Sequence, residues 1–152
     1  MISVGIPAVR HPIGHEGFVA DASVGVSWAV SSQSSPAAAV LLEEVAAGKP
    51  FVVPGLWMFE VANALLVLMR RKKIQPQQCA RARGALGRLY PLVDDDGPRL
   101  ALYRIWEFAD EFALSMYDAV YLELAQRKGL PLASRDAGLR RAAAKCGVPL
   151  LL

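Results

Sequence analysis

The chain is 152 residues long, 54% hydrophobic and 20% charged, which fits one globular domain with a real core and excludes a disordered polymer. Its net charge of +3 and pI of about 9.1 permit a nucleic-acid partner without demanding one. The two cysteines, Cys79 and Cys146, form no C-x-x-C motif, which excludes a disulfide scaffold or a zinc ribbon and makes a reducing cytoplasm the expected compartment.

No signal peptide is visible, because Pro, Gly and His interrupt "MISVGIPAVRHPIGHEG" where an apolar segment would be needed. His11 and His15 stand four apart, but Pro12 and Gly14 between them argue against a shared helical face. Residues 1–17 read as an N-terminal extension, a flexible leader to which no function is assigned, and 18–152 as the domain. "FVAD" (18–21) is a short apolar run ending in an acid. "SSPAAAVLLEEVAAG" reads as a helix with Ser35 as N-cap, Pro36 at its first position and Gly48 as its stop. "PFVVP" (50–54) is a buried strand candidate.

"LWMFEVANALLVLMRRKK" reads as a helix, apolar nearly all round, with basic residues at its end where the dipole favours them. It is too short and too interrupted, at Glu60 and Asn63, to span a bilayer, so no membrane partner is expected. "QPQQCARARGALGRLY" is a more polar helix, and "PLVD" (91–94) a strand. The run Asp94, Asp95 and Asp96 reads as a solvated turn. "PRLALYRIWEFADEFAL" is helical, with Leu100, Tyr103, Trp106 and Ala113 among the residues expected to pack inward. A helix from Tyr117 to Lys128 follows, stopped by Gly129; then come a strand at 130–134, a helix in "DAGLRRAAAKCG" and a final strand in "VPLLL". Such alternation predicts an α/β domain with a parallel sheet covered on both faces and ligands beyond the carboxyl ends of its strands.

Four acids stand in unusual places. Asp21 ends the first strand, and Asp136 follows the fourth in "LASRD". If the strand order is 3-2-1-4-5, the two meet at the switch point, although pattern alone does not fix that order. Glu60 is a single charge inside an apolar helix, where an ionised carboxylate is costly unless paired or bound to a metal. Asn63 shares its face one turn on, and no Lys or Arg lies within a turn. Asp118 heads the helix in "SMYDAVYLELA", where it serves either as a cap or as a ligand. Clustered carboxylates repel, and a hard divalent cation such as magnesium or manganese would remove that repulsion. Glu123, close to Asp118, is ambiguous; the other helical acids lie on polar faces.

The segments "VADASVGVSWAV", "VVPGLWMFEVANAL", "FALSMYDAVYLELAQRKGLPLASRD" and "GVPLLL" resemble a PIN domain, and more narrowly the VapC-type toxin ribonuclease of a VapBC toxin–antitoxin system. The resemblance covers residues 18–152 and implies a three-layer α/β/α fold with a five-stranded parallel sheet in the order 3-2-1-4-5. It implies a magnesium- or manganese-dependent endoribonuclease with Asp21, Glu60, Asp118 and Asp136 as catalytic metal ligands. Asn63 and Ser134 would orient ligands or water from behind them, Ser134 standing where the family often has Thr, and Arg135 would hold the RNA backbone. It also implies an RNA substrate, a VapB-type antitoxin partner and a homodimer; Trp28, Trp57 and Phe59 are candidates for an apolar docking surface, or equally for the core. Two other readings compete: an inactive PIN-like interaction module, and an aspartyl phosphohydrolase. The latter would want a second Asp two residues after Asp21, where this chain has Ser23.

Overall fold

The computed structural model describes residues 17–152. His11, His15 and the extension up to residue 16 lie outside the described residues. The chain runs β1 (Phe18–Ala20), α1 (Ala22–Ala29), a 3-10 turn (Ser31–Gln33), α2 (Pro36–Ala46), β2 (Phe51–Pro54), α3 (Trp57–Arg70), α4 (Pro76–Leu86) and β3 (Leu92–Asp94). Then come α5 (Gly97–Leu100), a π-helical stretch (Ala101–Ile105), α6 (Trp106–Glu111), α7 (Met116–Lys128), β4 (Leu132–Ala133) and α8 (Ala137–Lys145). The strands are parallel in the order β3-β2-β1-β4.

The expected fifth strand is corrected to a single bridge, Leu132↔Leu150. β4 is only two residues long, and Pro149 has no N–H with which to extend the ladder, although its carbonyl accepts from Leu132 N–H at 2.8 Å. α1 was not foreseen at all. Its sequence, ASVGVSWA, contains a glycine and two valines, so packing rather than helix propensity holds it.

β1 and β2 are buried along their whole length, as a parallel sheet covered on both faces requires. Phe18 and Phe51 stack at 6.0 Å between ring centroids, with Trp28 of α1 and Trp57 of α3 set edge-on against Phe51. α1 can approach α3 only because residue 25 is glycine. A Cβ there would stand 2.7 Å from Trp57 Cζ2 and 3.0 Å from Val61 Cγ2. Ser35 caps α2 through Ala38 N–H at 3.2 Å, with Pro36 at its first position, as expected.

α7 is buried nearly all round, since five consecutive residues from Tyr121 to Ala125 are buried. One of them is Glu123, read as ambiguous from the sequence. Arg127 Nε donates to it at 2.9 Å and Arg104 Nε at 3.0 Å. Arg127 also forks onto Asp94 at 2.8 and 3.0 Å. Asp94 is therefore no solvated turn: it is buried at the end of β3. Burial pulls its carboxyl upward, but bonding and attraction to Arg127, with help from Lys128, hold it below the ordinary range. Tyr103, Trp106 and Ala113 are exposed, whereas Ile105 and Phe108 are buried and Leu100 packs against the core. The π-helical stretch adds a residue to the turn and shifts the phase of the apolar pattern. Among the described residues no helix is long and apolar enough to cross a membrane.

Candidate active site

Asp21 follows β1 directly and caps α1, accepting from Val24 N–H at 3.2 Å. Its backbone N–H reaches the Ala133 carbonyl on the neighbouring strand β4 at 3.1 Å, and its own carbonyl accepts from Trp57 Nε1 at 3.1 Å. Its buried carboxylate is gripped from two sides. Ser134 Oγ donates to Oδ2 at 2.5 Å, and Ser23 Oγ donates to Oδ1 at 2.5 Å. The two serines are also tied to the loop that follows β4. Ser23 Oγ accepts from Arg135 N–H at 2.9 Å, and Ser134 Oγ from Asp136 N–H at 3.0 Å. Burial pushes the Asp21 carboxyl above its usual range; the two serines and Val24 N–H oppose this, and the charge of Asp118 adds to it.

Glu60 lies in the first turn of α3. Its Oε1 accepts from the phenol of Tyr121 at 2.5 Å. Burial raises its carboxyl, Tyr121 opposes that, and the charges of Asp118 and Asp21 raise it further. Burial and the Glu60 carboxylate together raise the Tyr121 phenol, so it stays a donor.

Asp118 lies in the first turn of α7, but the cap of that helix is Ser115, whose Oγ accepts from Asp118 N–H at 3.1 Å. The Asp118 carboxylate is thus left free of capping duty. Burial raises its carboxyl first and the Asp136 charge second, while hydrogen bonding with the Ser115 side chain opposes them. Asp136 caps α8 with Oδ1, accepting from Leu139 N–H at 2.7 Å.

Asp118 therefore stands within electrostatic reach of Asp21, Glu60 and Asp136, and Asp21 within reach of Glu60. Among the described residues no three His, Cys, Asp or Glu side chains converge at ligating distance, since Asp21 is turned to its serines and Glu60 to Tyr121. The donor set is nonetheless all oxygen and anionic, which suits a hard cation. Magnesium in particular is commonly held by one or two carboxylates and several waters.

Of the remaining sequence candidates, Ser134 is fully buried against Asp21. Asn63 is exposed one turn along from Glu60. Arg135 is exposed and donates through its guanidinium to the Gln33 carbonyl. Trp57 is core and Trp28 packs against the core, so of the three candidate aromatics only Phe59, 81% exposed, offers a surface.

Ser23 and Tyr121 were not read as site residues from the sequence. Tyr121 could have been, because it lies three residues after Asp118 on one helix face, and a buried phenol needs a partner.

Comparison with known proteins agrees with this architecture. The PIN-domain family model matches residues 18–145. Among curated proteins none matches the chain. The crystal structure of PAE2754 from Pyrobaculum aerophilum superposes with a TM-score of 0.65 at 20% identity, covering 89% of this chain and 83% of that one. VapBC2 from Rickettsia felis, bound to a DNA fragment from their promoter, gives a TM-score of 0.59 at 12% identity, covering 88% of this chain and 96% of that one. Identities this low speak for the fold alone, but the family model spans most of the chain: it belongs to the PIN-domain family.

Proposed function

We propose that this chain is a divalent-metal-dependent endoribonuclease and the toxin of a type II toxin–antitoxin pair. The observation that carries the reading is that hydrogen bonds tie together the three elements bearing Asp21, Glu60 and Asp118: Trp57 of α3 donates to the Asp21 carbonyl, and Tyr121, three residues after Asp118 on α7, donates to Glu60. PIN domains are generally nucleases, so membership supports phosphodiester hydrolysis. The likeness to VapBC2 supports an antitoxin partner. Cytoplasmic location and a homodimer belong to the same reading.

Magnesium or manganese would here lower the pKa of a bound water and stabilise charge on the attacked phosphate. Asp118, free of capping duty, would meet the ion directly, with Asp21 and Glu60 joining it and Asp136 closing the pocket. Ser134 and Ser23 fix the rotation of the Asp21 carboxylate, and Tyr121 that of Glu60; Asn63 would orient water. Arg135 stands beside the pocket, where its guanidinium would hold an RNA phosphate. That contact positions the strand without selecting its sequence.

The test is cleavage of mixed RNA with manganese, magnesium or chelator, by the wild type and by Asp118→Asn. Cleavage only with metal, and only by the wild type, is expected. Equal cleavage by the variant, or none by the wild type with either metal, overturns the reading. Turnover of a small phosphate ester in place of RNA would point to the phosphohydrolase instead.

A further inference from the structure

Between Glu60 and Asp94 the sequence contains no acid but seven cations, in a chain whose net charge is only +3. Four form the run Arg70–Lys73 that leaves α3; Arg81 and Arg83 lie on α4, and Arg88 just past it. All seven are exposed, and among the described residues none is paired with a carboxylate. Like charges gathered in this way repel one another, a cost that a bound polyanion removes.

This basic hairpin is joined to the acids by a groove. A concavity of about 280 Å³ opens where α4 packs against α1 and α3, with Lys73, Arg81, Gln78, Ser31 and Ser32 in its walls. A second, of about 500 Å³, lies between α1 and α3 and reaches Arg135 and Asp136 at the candidate active site. Neighbouring residues wall both. Gln33, in the second, belongs to the same 3-10 turn as Ser31 and Ser32. Leu68, also in the second, accepts through its carbonyl from Lys73 N–H at 2.8 Å. The Arg135 guanidinium in turn donates to the Gln33 carbonyl.

We propose that this groove carries the RNA strand away from the cutting site, and that Lys73 and Arg81 anchor its phosphates; the inference rests on the nuclease reading above. The chemistry of the walls selects that occupant. Arg, Lys, Ser and Gln side chains are those that grip a sugar-phosphate backbone. No large apolar side chain between Phe59 and Tyr90 is exposed, whereas an acidic protein segment or a membrane surface would need aromatic or aliphatic anchors among the charges. α3 spans ~15 Å from Glu60 to Arg70 at about 1.5 Å per residue. That equals about four or five phosphates at about 3.4 Å along a stacked strand, so the anchor holds a nucleotide well removed from the cut.

The test uses the intact protein. Binding is measured in chelator, where no cut is made, by fluorescence anisotropy of a labelled single-stranded RNA long enough to span the groove, over a salt series. Lys73→Gln combined with Arg81→Gln should make the slope of log K against log salt less steep by about 1.4, two contacts at about 0.7 each, and weaken binding about 25-fold in about 0.1 M salt. Arg81→Lys alone, which keeps the charge, should keep the slope. Arg99→Gln combined with Lys145→Gln removes the same charge elsewhere and should bind like the wild type. All four positions are exposed, so these changes spare the core. In manganese, the Lys73/Arg81 pair should raise KM for the long RNA with little effect on kcat, and the difference should vanish on a trinucleotide, which is too short to reach the anchor.

An unchanged slope in the Lys73/Arg81 pair, an equal loss in the Arg99/Lys145 pair, or tighter binding of polyglutamate than of RNA would overturn the anchor. So would a Lys73/Arg81 pair that loses affinity for single-stranded DNA yet keeps its KM for RNA, since the groove would then serve DNA. RNA cleavage with an unchanged slope would refute the anchor alone. A reduced slope without cleavage by the wild type would refute the nuclease reading and leave the RNA groove standing.

Discussion

Replacing Gly25 by alanine tests how the site is held together. The new methyl would lie 2.7 Å from Trp57 Cζ2 and 3.0 Å from Val61 Cγ2, about 1 Å inside ordinary contact. Trp57 has little room to yield. It is fully buried, packs edge-on against Phe51 and is bonded through Nε1 to the Asp21 carbonyl. α1 must therefore shift away from α3. Overpacking of this kind costs about 1–3 kcal/mol, and the better helix propensity of alanine returns about 0.5–1. The net loss is roughly 0.5–2 kcal/mol, a fall in Tm of about 2–6 °C for a chain of this size. Activity should suffer more than stability, because the shift moves Asp21, at the head of α1, relative to Glu60 on α3. Misplacement near 1 Å can cost about 100-fold in rate. Gly84→Ala in α4 is the control: its Cβ meets nothing closer than Arg88 Nη1 at 3.8 Å, so the same change should there stabilise slightly. Thermal melts and manganese-dependent RNA cleavage give both readouts. A Gly25→Ala protein that melts and cleaves like the wild type would refute the close-approach argument.

Ser134→Ala should weaken manganese binding by about 10- to 100-fold, the usual effect of losing a group that orients a ligand; calorimetric titration with an unchanged Kd would show that Ser134 only packs. Asp118→Asn should exchange rank with the wild type, melting higher in chelator because a repelling charge is gone, and lower in excess manganese, where binding at 100 Kd stabilises the wild type by about 2.7 kcal/mol; a wild type indifferent to metal would contradict this. The Asp94 carboxyl is held below its usual value by Arg127, so its contribution is complete above the unfolded pKa of about 3.9 and is lost as pH falls through the folded value. Asp94→Asn should flatten that acid limb in a melt series, and an unchanged limb would put the acid sensitivity elsewhere. The raised carboxyls of Asp21, Glu60 and Asp118 act the other way: in chelator, Tm should rise as pH falls from neutrality toward them, and a flat profile would mean that neither burial nor repulsion raises them.

The acids were legible because each breaks the pattern around it: Asp21 and Asp136 follow short apolar runs, and Glu60 interrupts a helix that is otherwise apolar. What lies between elements far apart in sequence was not. The fork from Arg127 to Asp94 spans 33 positions and the bond from Tyr121 to Glu60 spans 61, and no local period reports such pairings. The cap of α7 was misplaced for a smaller reason. Ser115 and Asp118 are both good capping residues three apart, and only the backbone, extended at Ser115, shows which one ends the coil. α1 escaped notice because its helix is made by contact with α3, and the terminal strand shrank because its partner β4 offers two residues.

The ion-paired end of α7 has a consequence for the other end of that helix. Apolar packing alone positions the buried middle of this helix, Ala119 and Tyr121 to Ala125, only loosely, since small turns or slides of an apolar rod bury nearly the same area. Asp118 and Tyr121 ride on this rod, and their aim depends on its rotation and axial height. Arg127, forked onto Asp94 and latched to Glu123, acts as an indexing pin. A guanidinium meets a carboxylate in one plane only, and misregistration by a single residue would strand a buried charge. The clasp at the foot of the helix thereby sets the bearing of the acids at its head, some nine residues away.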